Sequence, residues 1–302
     1  MTLNHLTVFI AVAESGSMSE AARRLYRSQP AVSQTIRELE EHYQVQLFDR
    51  LGRKLYITPS GTELLKYARQ VTDNFDLLER TMAGTPHALS IRIGASVTVG
   101  TCMLPSVVRN LKNSMEGLRI RSVVTNTAQI EQMLLNSELD VAIVEGTVYA
   151  PELLVTPVVD DYLVLACGKN HPFYTRDRIA PADLQGMEFA FREKGSGTRL
   201  LFEQYLKRHG IEVEACLEAN SPGAILNAVV ENNALAVMSV RLMQEEAKRG
   251  NVRIFRMETG EWNRSFRLVF HRDKLVGSEI RALERVLKPA PSPPSPTSPQ
   301  AP

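Results

Sequence analysis

Cysteine is scarce in this 302-residue sequence. Cys102, Cys167 and Cys216 are far apart and odd in number, with no C-x-x-C or Cys/His ligand spacing. That excludes a disulfide framework and a zinc ribbon, fits a reducing compartment, and leads one to expect three buried, inert thiols. Also lacking is any apolar run of bilayer length, because charges interrupt each one, so no membrane partner is expected. The opening MTLNHLTVFIAVAESGS has neither a basic leader region nor a cleavage site, which points to a cytoplasmic location. Excess charge of one sign is missing too: the net charge is +1, so any nucleic-acid contact must be local rather than a polybasic coat.

Catalytic signatures are equally thin. GSGTRL at 195–200 has leucine where a dinucleotide fingerprint needs its third glycine, and no Walker A loop is present. Ser196 has Lys194 and Thr198 where a nucleophile elbow has glycines. His5, His42, His87, His171, His209 and His271 show no i,i+4 metal pairing. The expectation is a chain that is not an enzyme and carries no metal and no cofactor.

What the sequence does have begins with three helical patterns in residues 3–45. Leu3, Leu6, Phe9, Ile10 and Ala13 form an apolar stripe ended by Gly16, and Ser17-Met-Ser-Glu20 has the form of a capping box. The third helix opens at SQPAVSQ, with Val32, Ile36, Leu39 and Tyr43 facing a core. Gln29, Ser33 and Arg37 fall on the opposite face, beside Pro30 and Gln34. Glutamine can pair with adenine, serine with several base edges, and proline can pack on a thymine methyl, so those residue types suit a major groove. Two short strands around LGRK follow, a wing in which Arg50, Arg53 and Lys54, together with Arg23 and Arg24, can meet phosphates. The whole series describes a winged helix-turn-helix reading double-stranded DNA. Beyond Thr58-Pro59, a seam of Leu64, Ala68, Val71, Phe75, Leu78 and Met82 asks for another helix, so self-pairing is expected.

After residue 84 the texture alternates between strand and helix. SIRIGAS, LRIRSVVT and LDVAIV come first, then YLVLACG, MEFAFRE, EVEACLE and ALAVMS, and last RSFRLVFH, which can return to the first group. Helices are expected near 101–115, 127–138, 197–209 and 222–232. This is βαβ grammar, and in such sheets ligands sit beyond the strand exits against helix N-termini. Ser96, Thr98, Thr127, Ser196, Thr198 and Ser221 lie at such exits. Arg192 and Arg199 add positive charge that Glu145 and Glu193 partly cancel, so the expected ligand is a small polar metabolite, anionic on balance. Each hydroxyl alone is equally well read as a helix cap. PAPSPPSPTSPQAP at the end has the composition of a disordered tail.

The N-terminal stretch resembles the DNA-binding domain of LysR-type transcriptional regulators. The resemblance is carried by F-x-x-V-A-E-x-G-S, A-A-x-x-L, S-Q-P-A-V-S, L-F-x-R and T-x-x-G. The remainder is more loosely similar to the effector domain of that family, through G-A-S at 94–96, L-P at 104–105, L-D-V-A-I at 139–143 and R-E-x-G-S-G-T-R at 192–199. What the resemblance implies is an α/β chain with a winged helix-turn-helix at 1–58, a linker and dimerisation helix at 59–86, and a two-lobed, periplasmic-binding-protein-like (type 2) effector domain at 90–288. Its lobes would be 90–161 with 266–288, and 162–265, before a tail at 289–302. It further implies that Gln29, Pro30, Ser33, Gln34 and Arg53 contact an operator, that a small-molecule effector binds between the lobes, that RNA polymerase is a partner, and that the chain forms a homodimer or homotetramer. One departure is Glu231-Asn-Asn-Ala-Leu, where the family often has a glycine turn; Asn233 can replace it, since asparagine tolerates left-handed backbone. Two alternatives use the same two-lobed scaffold: an enzyme, which predicts turnover of the bound metabolite, and a solute-binding module, which predicts export and no affinity for DNA.

Overall fold

Caps rather than long apolar runs set the first helices. The computed structural model describes residues 1–51, 54–83, 89–257 and 260–287. Helix α1 (Leu3–Ser15) stops at Gly16, whose left-handed φ of 60° lets its N–H return to Val12. Ser17 then accepts the N–H of Glu20 and opens α2 (Met18–Arg24). The reciprocal half of the expected capping box is replaced: the Glu20 carboxylate takes Arg23 at 2.8 Å and Arg24 at 3.1 Å. Both arginine side chains stay more than half exposed beside that carboxylate.

Ser28 caps α3 (Gln29–Tyr43), with Pro30 in the first turn. Val32, Thr35, Ile36 and Leu39 face inward, whereas Tyr43, expected on the core face, is exposed at the end of the helix. Strands β1 (Phe48–Leu51) and β2 (Lys54–Ile57) pair antiparallel as a hairpin. Helix α4 (Pro59–Ala83) follows at once. Thr58 ties the junction together, its Oγ1 accepting the N–H of Gly61 at 3.0 Å and donating to the Gln46 carbonyl at 2.8 Å. A β-carbon on Gly61 would lie 2.3 Å from the Leu47 carbonyl oxygen, so only glycine lets α4 pack this closely on the hairpin. Leu6, Phe9, Val12, Ala21, Val32, Ile36, Leu39, Leu47 and Ala68 form the core of this first unit. On α1 the buried residues include Val8 and Val12, while the predicted Ile10 and Ala13 are only partly covered.

The second unit begins with the expected alternation: β3 (Ser90–Ser96), α5 (Val97–Cys102), α6 (Leu104–Ser114), β4 (Arg119–Thr125), α7 (Thr127–Leu135) and β5 (Val141–Glu145). The single helix expected at 101–115 is two helices, broken at Met103 just before Leu104-Pro105. β3 runs parallel to both β4 and β5. Strand β6 (Leu153–Gly168) is 16 residues long, more than twice the stretch legible in the sequence. Its first half hides behind Pro157, which sits at a bulge: Phe266 faces Val159 and Arg267 faces Pro157. Proline lacks an N–H and is tolerated where the ladder is already interrupted.

Next come β7 (Glu188–Arg192), α8 (Gly197–His209), β8 (Glu214–Ala219), α9 (Pro222–Glu231), β9 (Ala236–Ser239), α10 (Val240–Lys248), β10 (Val252–Phe255), β11 (Asn263–His271) and α11 (Ser278–Leu287). Sheet order is β10-β6-β11-β5-β3-β4, with β9 also on β6 and β7-β8 as a separate parallel pair. β11 runs antiparallel to both β5 and β6. Beyond that pairing the far half of β6 takes β9 and β10, so β6 and β11 are the crossover strands between two lobes. Phe173, Phe189, Phe202, Tyr205 and Trp262 fill one core of the second lobe, and Ile225, Val229, Met238 and Met243 another. Asn233 adopts φ 57°, the left-handed backbone that a glycine would otherwise supply. The proline-rich stretch 289–302 lies outside the described residues.

Candidate nucleic-acid interface and effector cleft

On α3 the exposed face is polar. Gln29, Pro30, Gln34 and Arg37 are exposed and Ser33 is half-buried, opposite Val32, Ile36 and Leu39. Ser28 accepts the Ala31 N–H at 3.4 Å, which fixes the first turn from which Gln29 and Pro30 project. Gln34 donates to Glu38 at 3.1 Å and accepts from Arg37 at 3.5 Å, so its amide is orientated along the helix. The Gln34 hydrogen bond, followed by that of His5, holds the Glu38 carboxyl below its ordinary range. Arg50 is exposed on β1. Arg53 and the side chain of Lys54 lie outside the described residues. Tyr26, which the sequence did not single out, is 98 % exposed in the turn before α3 at a left-handed φ of 54°. A fully exposed aromatic on strained backbone was undetectable from periodicity alone.

The seam on α4 divides in two. Ala68 is only 1 % exposed and is spent on this unit's own core, contrary to its expected role, while Leu64 packs on the same core and is only partly buried. Tyr67, Val71, Phe75, Leu78 and Met82 are each at least 41 % exposed and form the apolar stripe that remains. The helical period holds along α4, with Ala68 wholly and Leu64 partly taken up by the helix-turn-helix packing.

In the second unit, Thr127, Ser196 and Arg199 line a cleft of about 250 Å³ with Thr147, Tyr149 and Lys194. Ser96, Thr98, Arg192 and Thr198 do not line it and are almost fully buried. Ser96 and Thr98 both donate to the carboxylate of Glu145, Thr98 at 2.8 Å, and Glu145 is itself 1 % exposed. Thr127 donates to the Glu145 carbonyl at 2.6 Å. Close backbone approach explains the proximity: a β-carbon on Gly197 would lie 2.5 Å from the Glu145 carbonyl oxygen, and one on Gly146 would lie 2.7 Å from the Gly197 α-carbon. The two glycines thus let the first turn of α8 press onto the end of β5.

Charges in this region are mostly paired. Arg192 grips Glu193 with two nitrogens at 2.8 and 3.0 Å. Burial opposes the charge on Arg199, but hydrogen bonds to Glu203 and Glu218, both at 2.6 Å, outweigh it and hold its proton more tightly than usual. The positive field expected from these two arginines is therefore largely absorbed by neighbouring carboxylates. Ser221 is exposed and caps α9 through Ala224 at 3.3 Å, so there the plain cap reading describes its contacts. Missed in the sequence was the crossover pair: Arg264 donates to Asp161 at 2.8 Å and to Thr198 at 2.9 Å, and Ser239 donates to Asp161 at 2.8 Å. Asp161 and Arg264 face one another in the β6–β11 register, 103 residues apart in the chain, and no local pattern joins them.

The cysteines do not share one environment. Burial pushes the Cys102 and Cys167 thiols up to about 11; at Cys102, Arg241 opposes that shift while Asp161 and Glu145 add to it. Cys216, expected to be buried, is exposed on β8, and its thiol is also raised. Among the described residues no group of three or more His, Cys, Asp or Glu is arranged to hold a metal, and no helix is long and apolar enough to cross a membrane.

Two family descriptions match the chain: "Bacterial regulatory helix-turn-helix protein, lysR family" over residues 3–62 and "LysR substrate binding domain" over residues 85–291. The chain belongs to the LysR family of transcriptional regulators. A probable RuBisCO transcriptional regulator of Guillardia theta is 33 % identical over 257 residues, covering 82 % of this chain and 83 % of that protein. Among solved structures, a full-length OxyR variant from Pseudomonas aeruginosa superposes with a TM-score of 0.80 at 19 % identity, over 95 % of this chain and 94 % of that one, which is a likeness of fold. The regulatory domain of Synechocystis CcmR in complex with 2-PG superposes with a TM-score of 0.61 at 26 % identity, over 67 % of this chain and 99 % of that one. This LysR-family chain is accordingly a DNA-binding transcriptional regulator with a small-molecule effector domain, not an enzyme. The enzyme and solute-carrier alternatives find no support.

Proposed function

We propose that the chain reads its operator through Gln29, Pro30, Ser33, Gln34 and Arg37 on α3, with Arg50, Arg53 and Lys54 of the wing on flanking phosphates. Supporting this is the division of α3 into a buried apolar face and an exposed face of groove-compatible side chains. Two subunits pair along Tyr67, Val71, Phe75, Leu78 and Met82, giving a homodimer or a tetramer of two dimers, and an interrupted, roughly palindromic operator follows from that symmetry. An apolar stripe so exposed on one long helix is the observation that favours pairing.

The effector is a small, polar, anionic metabolite bound between the lobes in reach of Thr127, Ser196 and Arg199, with Ser96, Thr98, Arg192 and Thr198 behind them. The CcmR regulatory domain with 2-PG is a relative of similar fold that takes a small molecule. Ligand acts by its differential affinity for two lobe arrangements about β6 and β11, and the bound DNA complex presents itself to RNA polymerase accordingly.

The test is an operator footprint followed by quantitative binding. Gln29→Ala should lower discrimination between operator and random DNA by about 1–3 kcal/mol, while Arg50→Ala should weaken both and flatten the salt dependence. An equal loss on both DNAs for Gln29→Ala removes base readout from that residue.

A further inference from the structure

The turn between α2 and α3 closes in the way that usually calls for glycine, yet the residue at its pivot is tyrosine. Tyr26 donates its N–H to the Arg23 carbonyl at 3.3 Å, and Arg27 donates to the Ala22 carbonyl at 2.9 Å. Those two bonds make a Schellman motif, which ends a helix by turning one residue left-handed. Tyr26 takes φ 54° accordingly. Glycine or a small polar residue meets that demand at least cost, and the other non-glycine residues of positive φ among the described residues are Gln44, Ser137 and Asn233. A bulky ring is the costly choice there.

Nothing within the unit compensates for it. The Tyr26 side chain is 98 % exposed and meets no hydrogen-bond or ring partner among the described residues. Its neighbours in the turn are all engaged. Arg23 and Arg24 hold Glu20, Leu25 packs on the helix-turn-helix core, Arg27 reaches back to Asn4 of α1 at 2.5 Å, and Ser28 caps α3. One side chain of the turn is left for a partner from outside.

The family's DNA-binding fold says where that partner lies. In a helix-turn-helix the first helix of the motif crosses the DNA backbone, and the second enters the major groove by its N-terminal residues. The turn joining them therefore passes over the groove's edge, where phosphates and sugars are the nearest parts of the duplex. Tyr26 stands just before the Ser28 cap and Gln29, so it continues the face read as entering the groove. A phenol suits that edge, since its hydroxyl can donate to a phosphate oxygen while its ring covers sugar carbons. We propose that Tyr26 is a contact residue for the operator backbone, its hydroxyl donating to one phosphate beside each half-site and fixing the register at which α3 enters. This rests on the reading of α3 as the groove helix and adds to it a contact that carries no charge.

The test is binding of the full chain to its footprinted operator and to random duplex of equal length. Tyr26→Phe should weaken both by about three- to tenfold, the loss of one hydrogen bond. The slope of log affinity against log salt should not change, because no charge that displaces counterions is removed. Tyr26→Gly should bind at least as weakly as Tyr26→Phe while its thermal unfolding midpoint stays at or above that of the unaltered chain, since glycine adopts the left-handed turn freely. Replacing operator phosphates one at a time by uncharged methylphosphonate locates the contact: at one flanking position per half-site, Tyr26→Phe should lose at least threefold less than the unaltered chain. Undiminished binding by Tyr26→Phe overturns the proposal, as do methylphosphonate losses equal in both proteins at every position. A loss confined to the operator overturns it too, and so does a lowered midpoint in Tyr26→Gly that accounts for its weaker binding. If Gln29→Ala weakens both DNAs equally while the Tyr26 results are as expected, base readout by Gln29 fails and the backbone contact stands.

Discussion

The two ends of this regulator carry specificity in opposite ways. The face of α3 proposed to read DNA is exposed and drawn from one stretch of chain, Gln29–Arg37, and its residues have few partners other than each other. Its inter-lobe region is the reverse: buried side chains from positions 96, 98, 127, 145, 161, 192, 196, 198 and 264, almost every one engaged with another. A surface that waits for a partner from outside can be recognised by which residues the core leaves out. A buried polar cluster cannot, because what each group does depends on which distant groups meet it.

That contrast is most sharply broken at the crossover. Asp161 is fully buried against Arg264, whose side chain is only 5 % exposed, so Asp161→Asn leaves an arginine without its counter-charge. The expected loss is about 3–5 kcal/mol, confined to the second unit, and is read from urea unfolding followed by tryptophan fluorescence, since Trp262 adjoins Asn263 and Arg264. DNA affinity of the folded fraction should be unaffected; a parallel loss of DNA affinity would mean that the two regions are not separable in this way.

Gly61→Ala strikes the first unit instead. Its β-carbon meets a backbone carbonyl that cannot rotate away, and the expected cost is roughly 1–3 kcal/mol of stability in the helix-turn-helix with the effector response retained. Differential scanning calorimetry on the full chain distinguishes the transition that moves; a shift in the larger transition would refute the assignment. The smallest effect concerns the thiols. With Cys102 and Cys167 raised to about 11, the thiolate is a minor species at neutral pH, and alkylation of both by iodoacetamide should stay slow until the pH approaches about 10. Rapid labelling of Cys102 at neutral pH would show that its surroundings are more open than the structure places them.

Much of the fold was legible because local rules and tertiary structure agree. SIRIGAS is β3 residue for residue, Thr127 starts α7, and Ser28-Gln-Pro starts α3, each where a cap or an alternating pattern leaves one conformation favoured. Illegible elements have identifiable reasons. The first half of β6 carries a proline and a bulge, which erase alternation, whereas α10 and α11 do carry an amphipathic pattern, with Ile280, Leu283 and Leu287 buried at spacings of three and four in α11, but are only nine and ten residues long. At the candidate site, the hydroxyl positions were readable as strand exits, but their partners were not. Ser96 and Thr98 turned out to serve Glu145, Ser221 its own helix, and Ala68 its own core.

The sequence by itself determined the order of most elements, the caps that start the first helices, the exposed polar face of α3 and the period of α4, since each follows from neighbours within a turn or two of helix or strand. Only the tertiary structure decided that Glu145 takes the hydroxyls of lobe one, that Asp161 finds Arg264 across the crossover, and that Ser196 is buried with no acceptor among the described residues. Those outcomes depend on which remote groups share a low-dielectric interior, where a hydrogen bond or charge is strong when met and costly when not, and no local pattern encodes such a meeting.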